Sequence, residues 1–244
     1  FVQAVRKGYR LFKTSTLANP YLDKEFVQAL VEDYVGDFAA QELYGEFVAF
    51  EGLIYAEFDR TKHVTTARPD SFKTVVAGVD WGFSNPGVIT VFGVDGDSRM
   101  WGLHEEYQRQ RRIEEWAEKA LELRNIYGIK QFFCDPSEPK YIQAFQEKGC
   151  KAEAANNEVN AGIQRVRNRL VTRADGKPRL IFSPSFAWTF SEFEQYQWRP
   201  GAKAVGFADE PMKANDHTMD AIRYAVAGVD DAPKELEIGF KKYA

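Results

Sequence analysis

The sequence predicts an α/β fold: a mixed sheet, made of an antiparallel three-strand meander plus parallel strands, flanked by helices and preceded by an N-terminal helical segment. Three observations predict it. At Thr74 a polar stretch gives way to a short β-branched run, Val75–Val79. Two more strand-like segments follow at once, with the hairpin signal Asp95-Gly96-Asp97 between them. Beyond Tyr107, helical and strand-like periodicities alternate. A meander followed by alternation leads to one mixed sheet with helices on its faces.

Residues 1–58 read as mostly helical. Leu17-Ala18-Asn19-Pro20-Tyr21 interrupts the pattern, Asp23 is placed to cap a following helix, and Phe26, Leu30 and Val31 recur near helical period. Asp37–Phe50 reads as a second helical run. Residues 59–73, polar and containing Arg68-Pro69-Asp70, read as a linker, so the sheet domain is expected over 74–244. Its strands are expected at 75–79, 87–94, 100–107, 129–134 and 151–155. The first helix is expected at 113–127, with Ile113, Trp116, Ala117, Ala120 and Leu121 on its apolar face and Gly128 as its C-cap. Further helices are expected at about 139–148, closed by Gly149, then at 159–171 and 215–227.

Composition is that of an ordinary globular chain, 44% hydrophobic and 28% charged. No apolar run reaches the ~18–20 residues of a membrane span, and no secretory leader is recognisable. Cys134 and Cys150 make no disulfide framework and no zinc pattern. The formal charge of −4 gives no global argument for nucleic acid, so any such argument rests on local sites. The chain begins at Phe1 rather than Met and reads as part of a longer protein.

Three acids stand out by position: Asp80 ending the first strand, Asp135 ending the fourth, and Asp220 in the last helix. If the first and fourth strands are parallel neighbours, Asp80 and Asp135 meet at one sheet edge, where active sites of open α/β sheets form. Asp216 and Asp220 are four residues apart and share a helix face. Ionised carboxylates gathered in one place repel, and a hard divalent cation, Mg²⁺ or Mn²⁺, relieves the repulsion. Two such ions, roughly 3.5–4 Å apart, can clamp a phosphodiester for hydrolysis. Each aspartate also has a plainer reading as a turn former or cap. His217, one turn before Asp220, is placed to orient a carboxylate or assist proton transfer, and equally to sit as a surface or capping residue; Glu138 is an alternative to Asp135. His104 reads as structural, and neither His63 nor the cysteines point to chemistry.

The acids in this order resemble the set of the ribonuclease H-like nucleases. Val79-Asp80-Trp81-Gly82, Phe133-Cys134-Asp135-Pro136, Ala161-Gly162-Ile163-Gln164-Arg165-Val166 and His217-Thr218-Met219-Asp220-Ala221-Ile222-Arg223-Tyr224-Ala225 resemble motifs of the nuclease domain of phage terminase large subunits. Asn19-Pro20-Tyr21 and Gln41-Glu42-Leu43-Tyr44-Gly45-Glu46-Phe47 resemble the end of that family's ATPase region and its linker. The resemblance implies an endonuclease that cuts double-stranded viral DNA concatemers during genome packaging, in the host cytoplasm and outside the mature virion. It implies Asp80, Asp135 and Asp220 as metal ligands with Asp216 as a possible extra one, and the portal, the small terminase subunit and the ATPase domain as partners. No Gly-x-x-x-x-Gly-Lys-Ser/Thr loop occurs in these residues, so ATP hydrolysis is not expected of them alone.

For DNA phosphates, the sequence offers Arg165, Arg169 and Arg173 at four-residue spacing, with Arg109, Arg111 and Arg112 ahead of another helix. Related nucleases carry a hairpin before the last helix, and turn signals in 199–210 fit one. Lys203 and Lys213 are expected near DNA there, with Arg179 a weaker candidate. Nothing reads base edges, so sequence-independent cutting is expected. Three rivals remain open at this point. One is a resolvase- or integrase-like enzyme of the same fold. Another is an actin-like or sugar-kinase-like ATPase, whose first phosphate loop Asp80-Trp81-Gly82-Phe83-Ser84 resembles. The third is a non-cutting DNA-binding module.

Overall fold

A computed structural model describes residues 52–200 and 207–232. The helical runs expected within 1–51, and Lys203, lie outside the described residues. The sheet has six strands: β1 (Thr74–Asp80), β2 (Gly87–Val94), β3 (Met100–Gln108), β4 (Gln131–Cys134), β5 (Ala152–Ala154) and β6 (Leu180–Phe182). Their spatial order is β5-β4-β1-β2-β3-β6. The first three form the antiparallel meander, while β4 runs parallel to β1, β5 to β4 and β6 to β3. The helices are α1 (Arg60–His63), α2 (Ile113–Tyr127), α3 (Pro139–Glu147), α4 (Val159–Leu170), α5 (Ala187–Phe193) and α6 (His217–Asp231). The hairpin signals before the last helix produce β7 (Trp198–Pro200) and β8 (Phe207–Pro211), an antiparallel pair.

The central strands carry helices on both faces, which is why β2 is buried along its whole length and reads as a nearly continuous apolar run, broken only by the buried Thr90. Successive side chains alternate between faces. Ala77, Val79, Ile89 and Val91 meet α2 and α3 through Trp116, Ala117, Ala120, Ile142 and Phe145. Val76 and Phe92 belong to the opposite core with Ile163, Val166, Met219, Ile222 and Phe186. Gly128 closes α2 in the left-handed conformation, with φ 69°, and its N–H donates to Arg124 O at 2.8 Å, as its place in the sequence predicts. Leu123 is buried on that helix, while Leu121 is only partly so.

Three elements lie outside the expectations from sequence. Strand β6 has three residues, too few for a periodicity to accumulate, and it is specified by pairing with the start of β3. Helix α5 is held by its neighbours: Glu105 accepts the N–H groups of Trp188 and Thr189 at 3.1 and 2.7 Å. The stretch read as a linker begins with α1, capped by Asp59, whose carboxylate accepts from Thr61 N at 2.9 Å. His63 is buried there, with Nε2 2.8 Å from Leu170 O, a structural role. Upstream of it, Ile54 and Tyr55 are buried, and Tyr55 packs against Phe193 and Tyr196. Residues 54–58, read from sequence as helical, therefore contribute side chains to the core of the sheet domain.

One glycine decides how the last helix sits. A Cβ on Gly78 of β1 would stand 1.8 Å from the backbone oxygen of Ala221 in α6. The absence of a side chain lets the helix backbone touch the strand two residues before Asp80. That contact brings the first turn of α6 to the sheet edge where β1 ends.

Candidate active site

The parallel pairing of Val79 with Cys134 sends Asp80 and Asp135 out of neighbouring strand ends at the same edge. Asp135 N–H donates to Val79 O at 2.9 Å, and Trp81 Nε1 donates to Asp135 O at 2.8 Å, so the two strand ends are tied. From the other side, α6 delivers His217, whose Nδ1 lies 3.0 Å from Asp80 Oδ2. Asp80 is 8% exposed. Burial is the main force on its carboxyl and pushes its pKa up to about 7; the hydrogen bond and charge of His217 oppose this, and the negative charges of Asp220 and Asp135 add to it. His217 answers in kind. Burial works against its charged form, but the hydrogen bond and charge of Asp80, helped by Glu192 and Asp216, prevail and raise its pKa.

Asp216 is also buried. Desolvation and the charge of Asp220 raise its pKa, against the pull of Lys213 and His217. Its Oδ2 has no hydrogen-bond partner and lies 3.4 Å from Lys213 Nζ. Asp220 faces two cations. Its Oδ1 accepts from Arg223 Nε at 3.2 Å and Nη2 at 3.0 Å, and its Oδ2 lies 3.7 Å from Lys213 Nζ. Arg223 is 1% exposed; Asn157 Oδ1 accepts from its Nη2, and its stem packs where a Cβ of Gly162 would be. Gly162, in one of the segments singled out from sequence, is therefore the space that lets a buried arginine lie beneath Asp220.

Asp135 is engaged differently. Its carboxylate accepts from Ser137 N–H at 2.9 Å and Ser137 Oγ at 2.7 Å, a side-chain turn of the kind an aspartate before Pro-Ser favours. Glu138 is exposed, at the N-cap of α3. The structure therefore gathers Asp80, Asp216, His217 and Asp220 around the start of α6, with Asp135 on the adjoining strand end. As placed, no three His, Cys, Asp or Glu side chains among the described residues stand close enough together to hold a metal ion. The physical reason is local. Asp220 is drawn to Arg223 and Lys213, and Asp135 to Ser137. The donor chemistry, all carboxylate oxygen with one orphaned buried atom on Asp216, fits a hard divalent cation. The like charges that raise the Asp80 pKa are what such a cation would relieve.

Two members of the arginine stripe have partners within the chain. Arg169 is buried, with Nη2 bonded to Asp230 Oδ1 at 2.5 Å and Nη1 to Ser98 O at 3.0 Å. Arg165 Nη1 reaches Asp231 Oδ2 at 2.8 Å. Both tie α4 to the far end of α6, because acids follow the predicted helix at just the level where α4 crosses it. Arg173 is exposed and donates to Asn168 O at 3.4 Å. Lys213 turns its ammonium into the acidic cluster while much of its side chain stays exposed. Arg111 pairs with Glu106 and lies over Trp116, and Arg179 pairs with Asp175. Sequence reasoning missed Glu192 of α5. It is 2% exposed, accepts from the first turn of α6, and has a pKa pushed by burial up to about 8. No local motif marks it.

No protein-family model matches the chain. It is 21% identical over 229 residues to the large terminase subunit of Escherichia phage T5, a match that covers 86% of this chain and 50% of that protein. The structure of the large terminase from a thermophilic bacteriophage superposes with a TM-score of 0.64 at 27% identity, covering 87% of this chain and 54% of that one. The nuclease domain of the large terminase from bacteriophage SPP1, solved with bound Mn, superposes at 0.50 with 21% identity, covering 63% of this chain and 85% of that domain. The chain spans about half the length of the full-length relatives it matches. It is similar in sequence and fold to phage terminase large subunits, and its described part has the ribonuclease H-like fold of their nuclease domains.

Proposed function

We propose that this chain carries the nuclease of a terminase large subunit: a metal-dependent endonuclease that cuts double-stranded viral DNA concatemers during genome packaging. One observation carries the reading. Asp80 is buried at the end of β1, is hydrogen-bonded to His217, and feels the charges of both Asp220 and Asp135. That is an acidic centre at the sheet edge where open α/β folds place their chemistry. The match to terminase subunits, and the Mn bound in the SPP1 nuclease domain, support it.

In this reading Asp80, Asp135 and Asp220, with Asp216, hold two divalent cations, Mg²⁺ or Mn²⁺. Such ions, when bound, neutralise the phosphodiester and lower the pKa of water. The chain's own groups do the rest. His217 orients Asp80 through Nδ1 and is placed to hold a proton at the imidazole. Arg223 fixes Asp220 from beneath. Lys213 neutralises Asp216 and Asp220, and cation binding requires it to withdraw from them. DNA phosphates fall to Lys213 in its withdrawn position, Arg173 and Lys203, with Arg165 at the margin and Arg169 too deeply buried to take part.

Residues 1–53 belong, in this proposal, to the ATPase region and linker of a longer subunit that meets the portal and the small terminase subunit in the host cytoplasm. No helix among the described residues is long and apolar enough to cross a membrane. The test is cleavage of a plasmid by the purified chain with Mg²⁺ or Mn²⁺, with and without EDTA. Metal-dependent cutting that Asp80→Ala and Asp135→Ala abolish is the expected result. Cutting that persists in EDTA, or in both variants, refutes it.

A further inference from the structure

The first turn of α6 is capped by a residue from another helix, and the exchange has a use. Asp216 stands at the N-cap but makes no side-chain cap hydrogen bond. An aspartate there ordinarily accepts the N–H of the second or third helical residue, one of the orphan donors of a helix start. In this chain those residues are Thr218 and Met219, and their N–H groups donate instead to Glu192 Oε2, at 2.7 and 3.3 Å. Thr218 Oγ1 donates to the same oxygen at 2.7 Å. Glu192 reaches across from α5 and is buried. The Asp216 carboxylate is thereby left out of the cap, and its Oδ2 faces Lys213 with no hydrogen bond.

We propose that Glu192 is a positioning residue that caps α6 in place of Asp216, and so leaves the Asp216 carboxylate free to serve the acidic site as an additional cation ligand. The ligand half rests on the metal-dependent reading above; the capping half does not. A carboxylate cannot comfortably do both jobs. Turned back to the amides of its own helix, Asp216 would spend its acceptor lone pairs there and leave the cluster that contains Asp220. A donated cap from α5 holds the helix start in place and keeps the acid facing outward. It also sets the position of His217, which directly follows Asp216 and precedes Thr218.

The test has two readouts on the full 244-residue chain: amide hydrogen exchange at Thr218 and Met219, and Mn²⁺ titration followed by electron paramagnetic resonance. Asp216→Ala is expected to weaken Mn²⁺ binding by about tenfold while leaving the protection of both amides unchanged, since Glu192 still caps. Glu192→Ala is expected to weaken Mn²⁺ binding to a similar degree and to keep part of the protection, because Asp216 swings back to the cap. In Glu192→Ala with Asp216→Ala, Mn²⁺ binding falls no further and the remaining protection is lost. Glu192→Gln, whose amide oxygen accepts the same bonds, stays near wild type in both readouts. Loss of protection in Asp216→Ala alone overturns the cap assignment, without depending on how well the Glu192 variants fold. Mn²⁺ losses that simply add in the double variant overturn the link between cap and ligand. Wild-type protein that binds no Mn²⁺ overturns the metal reading and the ligand half together, while the exchange arm still decides the cap.

Discussion

His217 Nδ1 lies 3.0 Å from Asp80 Oδ2, joining the first residue of the last helix to the last residue of the first strand. The two residues are far apart in sequence and neither element holds the contact alone. It exists because Gly78 lets the α6 backbone lie against β1 and because Glu192 pins the start of that helix.

Asp80→Asn is expected to abolish metal-dependent cleavage and to flatten the pH dependence of stability. In the folded chain the Asp80 pKa is about 7, against an ordinary value of 3.8. The folded state therefore keeps a proton that the unfolded chain releases at lower pH. The stability that comes from this proton is full below about pH 4 and is lost as pH rises through about 7. Asparagine removes that loss. Thermal unfolding at pH 5 and pH 8 checks it: the drop in Tm between the two should be smaller in the variant, by an amount corresponding to roughly 2–3 kcal/mol. Glu192, also raised, retains its own share of the drift. An unchanged drop would show that Asp80 is not protonated in the folded state.

Gly78→Ala is expected to destabilise the domain by about 2–3 kcal/mol, because the new methyl would meet the Ala221 carbonyl backbone rather than a movable side chain. Chemical denaturation measures it. Cleavage should fall further than the folded fraction does, since pushing α6 away separates His217 from Asp80.

Lys213→Met is expected to tighten Mn²⁺ binding several-fold. The ammonium lies 3.4 Å from Asp216 and 3.7 Å from Asp220 and so occupies the charge environment that a cation needs. Isothermal titration with Mn²⁺ decides the matter. Weaker binding would mean that the lysine organises the site rather than competing for it.

Arg223→Met is expected to cost about 3–4 kcal/mol, since it leaves the mostly buried Asp220 without the guanidinium beneath it. A second substitution, Asp220→Asn, should recover part of that loss by removing the uncompensated charge. Urea unfolding of the single and double variants gives the coupling directly.

The elements that were readable from sequence are the ones whose signal is local. The β-branched run of β1, the mostly apolar β2, the Asp95-Gly96-Asp97 turn and the Gly128 cap all write their structure within a few neighbouring residues. Asp80 and Asp135 were readable as strand-end acids for the same reason; that their strands are parallel neighbours was only a condition in the sequence and is met in the structure. Strand β6 and helix α5 were not, because a three-residue strand and a seven-residue helix held by Glu105 draw their stability from partners distant in sequence.

Charge partners were the least readable feature. A helical spacing of Arg165, Arg169 and Arg173 looks the same whether the face meets solvent, DNA or another helix. Only the crossing of α4 and α6 turned Arg169 inward to Asp230. The amino-acid sequence alone determined the longer strands and helices and where the acids sit along them, because those properties depend on backbone preference and periodicity. Tertiary packing alone decided that Glu192 caps α6, that Arg169 turns to Asp230 and that His217 meets Asp80, because these pairings act through space between elements and carry no trace in the spacing of the chain.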